Sequence, residues 1–172
     1  MSKKSVGILL DKISPSELCF DISRLTIENT GDDILVFFTE PGRPYQDILC
    51  PQINICDLYS YYGSVVATSI NTARRAIQSI TPYEIIFYPH DLDWLRIPTF
   101  AYEQLREVYT HPLLTKYCRS ESHQEIIEKC FGVKYEIVES WGKIIEKAKP
   151  ARSYLDDCLK INQFAQGTQD ER

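Results

Sequence analysis

The stretch Ser64-Val-Val-Ala-Thr-Ser-Ile-Asn-Thr-Ala73 decides the fold. It opens as a short apolar run, passes through hydroxyl-bearing residues, and continues into Ala73, Ala76, Ile77 and Ile80 at helical spacing. A brief apolar run bounded by polar turn residues reads as a strand buried on both faces. Asn71 is placed to cap the helix that follows.

The same strand-then-helix unit recurs on either side. Upstream, Val6-Gly-Ile-Leu-Leu10 is a buried-type strand, and Ser14-Pro-Ser-Glu17 has the serine, proline and glutamate of a capping box. Leu18, Ile22 and Leu25 then repeat on one helical face until Asn29-Thr-Gly31 stops it, and Ile34-Leu-Val-Phe-Phe38 is the second strand. Residues 40–63 are rich in proline, glycine and tyrosine and read as a loop with one short strand around Ile53–Cys56. Downstream, Glu84-Ile-Ile-Phe-Tyr88 is a strand running into Pro-His-Asp-Leu-Asp-Trp94. A helix with Tyr102, Leu105 and Tyr109 inward, a strand over Leu113–Cys118, and a helix opened by a Ser122–Glu125 capping box follow. That helix carries Ile126, Ile127, Cys130 and Phe131 and ends at Gly132. Val133–Val138 alternates as a strand, and Trp141, Ile144, Ile145 and Ala148 line a helix ending before Pro150. Residues 150–172 read as a C-terminal helix around Tyr154, Leu155, Cys158 and Leu159 that packs back on the domain, then a frayed polar tail.

Alternating apolar strands and amphipathic helices predict a single α/β domain over residues 1–149, with a doubly wound, mostly parallel sheet of Rossmann-like type. Right-handed crossovers in such a sheet collect the strand-to-helix loops at one rim, where ligands bind. The bulk composition narrows the function. A net charge of −5 over 172 residues disfavours a nucleic-acid binder, which needs clustered Lys and Arg. No apolar stretch approaches the length of a membrane span, and six cysteines without Cys-x-x-Cys spacing fit reduced thiols in the cytoplasm. No Gly-x-Gly-x-x-Gly, Walker loop or Gly-x-Ser-x-Gly elbow occurs, and no zinc spacing relates Cys118, His123 and Cys130. Neither a resident cofactor nor a metal is expected.

Candidate site residues sit just past the predicted strands. His90, Asp91 and Asp93 could hold a sugar hydroxyl, with His90 as a proton exchanger and Asp91 as its partner in catalysis; equally, Asp91 could cap the next turn over Trp94 and Leu95. Thr68, Ser69 and Thr72 could meet an anion or a sugar, or simply cap their helix. Arg119 could pair with a phosphate or carboxylate, beside Ser120, Ser122 and His123. Tyr45, Tyr59, Tyr61 and Tyr62 either form a partner or sugar surface or pack as the loop's own core.

Val65-Val-Ala-Thr-Ser-Ile-Asn-Thr-Ala73 followed by Ile85-Ile-Phe-Tyr-Pro-His-Asp-Leu-Asp-Trp94 resembles the amino-terminal lobe of the retaining, sugar-nucleotide-dependent GT-B glycosyltransferases. There one strand ends in a pattern like Ala-Thr-Ser-x-x-Thr-Ala, and a later one in an aromatic–acidic segment like Phe-Tyr-x-x-Gln-Asp-x-Glu. Asp91-Leu-Asp-Trp-Leu95 and Arg119-Ser-Glu-Ser-His123 are also similar to segments of short proteins of cyanobacterial tailed phages. The resemblance spans about residues 5–145. It implies a Rossmann-like lobe that binds a sugar or glycosylated acceptor, with a nucleotide sugar as the donor class. Because 22 residues follow position 150, the expectation is that the second, donor-gripping lobe is missing and that the chain alone does not complete the transfer. Two alternatives stand beside it. One is a non-enzymatic module that binds a host protein or homodimerises, in a host cytoplasm if phage-encoded. The other is a minimal GT-A-like enzyme that uses Asp91 and Asp93 with a metal.

Overall fold

The computed structural model describes residues 4–28, 31–40, 48–79, 81–95 and 101–149. Seven strands form one sheet: β1 (Ser5–Lys12), β2 (Asp33–Glu40), β3 (Gln52–Asn54), β4 (Ser64–Ala67), β5 (Glu84–Phe87), β6 (Leu114–Cys118) and β7 (Glu136–Ile137). Their order across the sheet is β3-β2-β1-β4-β5-β6-β7, and every pairing is parallel. Among the described residues four α-helices lie between strands, α1 (Glu17–Glu28), α2 (Ile70–Gln78), α3 (Tyr102–Thr110) and α4 (Glu121–Phe131), and α5 (Trp141–Lys147) follows β7. The expected doubly wound α/β architecture is present, with the chain reversing its direction of travel between β1 and β4.

Strand alternation sorts the apolar residues into two layers. Val6, Ile8 and Leu10 of β1, Val66 of β4 and Ile86 of β5 pack under α1 and α5, against Cys19, Ile22, Leu25, Trp141, Ile144 and Ile145. On the other face, Leu9, Val65, Ala67, Ile85 and Phe87 pack under α2, α3 and α4. Both faces of the central strands are therefore dry, which is why those strands read as unbroken apolar runs. The α3–α4 side is aromatic: Tyr109 stacks on Phe131 at 4.4 Å between ring centroids, and Phe87 meets Tyr109 edge-on at 5.2 Å. Such pairs contribute roughly 0.5–1.5 kcal/mol beyond area burial.

Three helix starts fall away from the expected caps. Ser16, not Ser14, accepts the Cys19 amide, at 3.2 Å. Ser69 rather than Asn71 caps α2, and Ser120 rather than Ser122 caps α4. Ser69 and Ser120 have extended backbone, so the hydroxyl able to reach an N3 amide is fixed by where the loop ends. The short strand near Ile53 is Gln52–Asn54, and Ile55–Ser60 continues as a 3-10 turn rather than a strand. Tyr102 is more than half exposed instead of inward, with its hydroxyl donating to the Cys130 carbonyl at 2.7 Å. Gly132 ends α4 as expected, at φ 70°, a left-handed position suited to glycine. Tyr61 packs edge-on against Phe37 and shares a hydrogen bond with Ser5, whereas Tyr59 and Tyr62 are exposed. Tyr45, Ile80 and the expected C-terminal helix lie outside the described residues.

Gly63 shows how tightly β4 is seated. A Cβ there would stand 2.5 Å from the Ser5 carbonyl oxygen, a backbone atom that no rotamer change can move aside. Gly63→Ala is expected to destabilise the fold by about 1–3 kcal/mol, whereas Gly142→Ala, with open space around an exposed helical position, is expected to be neutral or to stabilise by up to about 1 kcal/mol. Urea midpoints of the two variants check this, and equal midpoints would contradict it.

Candidate functional site

The reversal between β1 and β4 opens a crevice of about 440 Å³ at the carboxyl ends of the strands. Its walls are Leu10, Asp11 and Lys12 from β1, Ser16, Glu17 and Leu18 from the start of α1, Thr68 and Ser69 after β4, and His90 and Asp91 after β5. Among the described residues, three carboxylates thus line it with one ammonium, and no Phe, Tyr or Trp does. A second hollow of about 640 Å³ lies on the far side of Asp11, lined also by Thr39, Glu40, Asn71, Arg74, Arg75 and Gln78.

Hydrogen bonds fix the rim. The Thr68 hydroxyl donates to the Leu9 carbonyl at 2.7 Å, tying the tips of β1 and β4 together. The Thr72 hydroxyl accepts the Thr68 and Ser69 amides at 3.1 and 3.0 Å, and the Ser69 hydroxyl accepts the Thr72 amide at 3.1 Å. Thr72 is fully buried and outside the crevice wall, so its contribution is to set the turn. Thr68 and Ser69 are on the wall but are also engaged in this cap. The His90 amide donates to the Thr68 carbonyl at 3.1 Å, carrying the β5 tip alongside.

Arg119, at the end of β6, completes the arrangement. One guanidinium nitrogen donates to the His90 carbonyl at 3.3 Å; the other lies 3.4 Å from Glu17 Oε1 and 3.6 Å from Asp21 Oδ2. Thr68, His90 and Arg119 therefore share one rim, as the strand-tip reading requires. Asp91 lies on the crevice wall. His123 stands in the first turn of α4, its Nδ1 buried without a partner among the described residues. Asp93 falls in a short 3-10 turn, and its side chain lies outside the described residues.

His90 is the most unusual member. It is only 7% exposed, and its Nε2 has no hydrogen-bond partner among the described residues. Asp21 Oδ2 is the nearest anion, at 4.0 Å. Leaving such a group unsatisfied costs about 1–3 kcal/mol. Burial, and then the Arg119 charge, push the His90 pKa below its usual value, against the opposing pull of Asp91, Glu17 and Asp21. Burial likewise lowers His123, with Arg119 acting in the same direction. Both shifts favour the neutral ring.

Asp11, Lys12, Glu17 and Asp21 were not among the sequence candidates. Glu17 and Asp21 stand one helical turn apart on α1, a spacing that puts both on one face; only the azimuth of α1 over the sheet reveals that this face meets the rim. Compared with protein-family models, with curated proteins and with solved structures, the chain matches none.

The neutral histidines set the acid limb of stability. Below the unfolded pKa of about 6.5 the unfolded chain binds protons that the folded chain does not, so stability falls as pH drops from there toward the lowered folded values. His90→Gln is expected to flatten the dependence of the urea midpoint on pH between about 5 and 7. A variant whose slope equals that of the parent chain would contradict the assignment.

Proposed function

We propose that the crevice between β1, β4 and β5 binds a neutral, hydroxyl-rich ligand: a sugar, or the glycosyl end of an acceptor. The observation that carries this is the lining itself. Asp11, Glu17 and Asp91 supply carboxylate acceptors for paired hydroxyls, while Lys12 supplies a donor. The excess of carboxylates repels a bare anion, so a lone phosphate is a poor occupant, and among the described residues the lining offers a nucleobase no Phe, Tyr or Trp to stack on. The resemblance of residues 65–73 and 85–94 to the acceptor-side lobe of GT-B glycosyltransferases points the same way. In this reading the His90 ring, whose neutral form burial and Arg119 favour, is positioned to accept a proton from a ligand hydroxyl.

The reading is tested by thermal shift with neutral mono- and disaccharides, alkyl glycosides and nucleotide sugars. A ligand at about ten times its Kd stabilises by about 1.4 kcal/mol, which for a chain of this size raises Tm by about 3–6 °C. At least one neutral saccharide is expected to do so, and Asp91→Asn is expected to reduce that shift by half or more. If no saccharide moves Tm, or if the shift survives Asp91→Asn unchanged, the crevice is not a sugar site.

A further inference from the structure

We propose that Glu17, Asp21 and His90 form a three-ligand site for a divalent first-row transition ion, with its open positions facing the crevice. One donor atom from each of the three residues lies within 4.8 Å of the others. Two carboxylates from one face of α1 meet an imidazole from the β5 tip, a mixed nitrogen and oxygen set of the kind that holds zinc, manganese or iron rather than magnesium. Acidic pairs on helices are common; here the buried imidazole sets this one apart. Its backbone is clamped at both ends, the amide on Thr68 and the carbonyl on Arg119, and its Nε2 is aimed at Asp21 with no hydrogen bond to satisfy it. In the tautomer with its proton on Nδ1, that nitrogen offers a lone pair to an electrophile.

The distances are compatible with an ion. Donors bound to one metal at about 2.0–2.2 Å lie about 3.0–3.5 Å apart, so a set within 4.8 Å must contract by up to about 1.3–1.8 Å. Glu17 is largely exposed and free to turn inward. Arg119 is the competitor. Its guanidinium lies 3.4 and 3.6 Å from the two carboxylates, longer than the roughly 2.7–2.9 Å of a strong charge-assisted pair. A dication at the carboxylates displaces this loose partner, which keeps its second anchor on the His90 carbonyl. Glu17 and His90 both line the crevice, so the remaining coordination positions open toward it. The inference goes beyond the saccharide reading and stands without it, because metal uptake is measured with no saccharide present.

The test is zinc titration of the metal-stripped full chain against a chromophoric chelator, in a reductant that does not bind zinc. One site per chain is expected. His90→Gln and Asp21→Asn should each weaken it at least tenfold, a loss at least as large as the ~10–100-fold typical of residues that merely support a ligand. Cys56→Ser should leave it unchanged, and Arg119→Gln, which removes the competing charge, should tighten it. Cobalt substitution should give visible bands without sulfur-to-metal charge transfer. Zinc uptake insensitive to His90→Gln assigns the metal to thiols and overturns the proposal, as does the lack of any uptake at micromolar zinc. Equal binding of magnesium overturns the metal class. If His90→Gln loses its helical circular dichroism, Arg119→Gln decides: tightening supports the site, and unchanged or weaker binding overturns it.

Discussion

The pairing of β1 with two neighbours, and the hydrogen bond from the Thr68 hydroxyl to the Leu9 carbonyl that closes it at the tip, is the constraint on which the rest of the molecule depends. Ile8 faces Val36 on one side and Val66 on the other, so β1 is fully enclosed. From its carboxyl end the chain goes to one face of the sheet through α1; from β4 it goes to the opposite face through α2. Two connections leaving neighbouring strand tips in opposite directions cannot cover the space between them. The crevice follows from that topology, and the residues at the tips become its walls whatever their chemistry.

That chemistry is concentrated by Arg119. It reaches from the end of β6 to the carbonyl of His90 and to two carboxylates of α1, so three elements distant in sequence are held by one planar cation. Each ion pair is partly exposed and worth little alone, about 0–1 kcal/mol. Burial first, and the Arg119 charge after it, lower the pKa of His90 and His123. The result is an acidic, hydroxyl-bordered opening with one unsatisfied nitrogen in its wall.

The sheet was largely legible in the sequence because burial on both faces leaves an unmistakable trace: Val6–Leu10, Val65–Ala67 and Ile85–Tyr88 are apolar without interruption. The caps were less so. Ser14 and Ser16, Ser120 and Ser122, and Ser69 and Asn71 are each pairs of good capping residues two apart. Propensity cannot choose between members of a pair when loop geometry does. Tyr102 followed the helical period of Leu105 and Tyr109, yet its ring stacks on Phe131 of α4 and its hydroxyl donates to the Cys130 carbonyl there. In the site, Thr68, His90, Asp91 and Arg119 could be named because strand ends are visible in sequence. Glu17 was read only as a capping glutamate and Asp21 not at all, since their meaning depends on how α1 is rotated over the rim.

The central claim is that the space between the tips of β1, β4 and β5 is where this chain meets its ligand. Amide chemical shifts of the isotope-labelled chain, followed while a stabilising saccharide is added, test it most directly. The account predicts that the largest changes fall on residues 11–18, 68–69 and 90–91, with saturation common to all three groups. Changes centred instead on the opposite edge of the sheet, around Pro82, Tyr83 and Leu113, would contradict it.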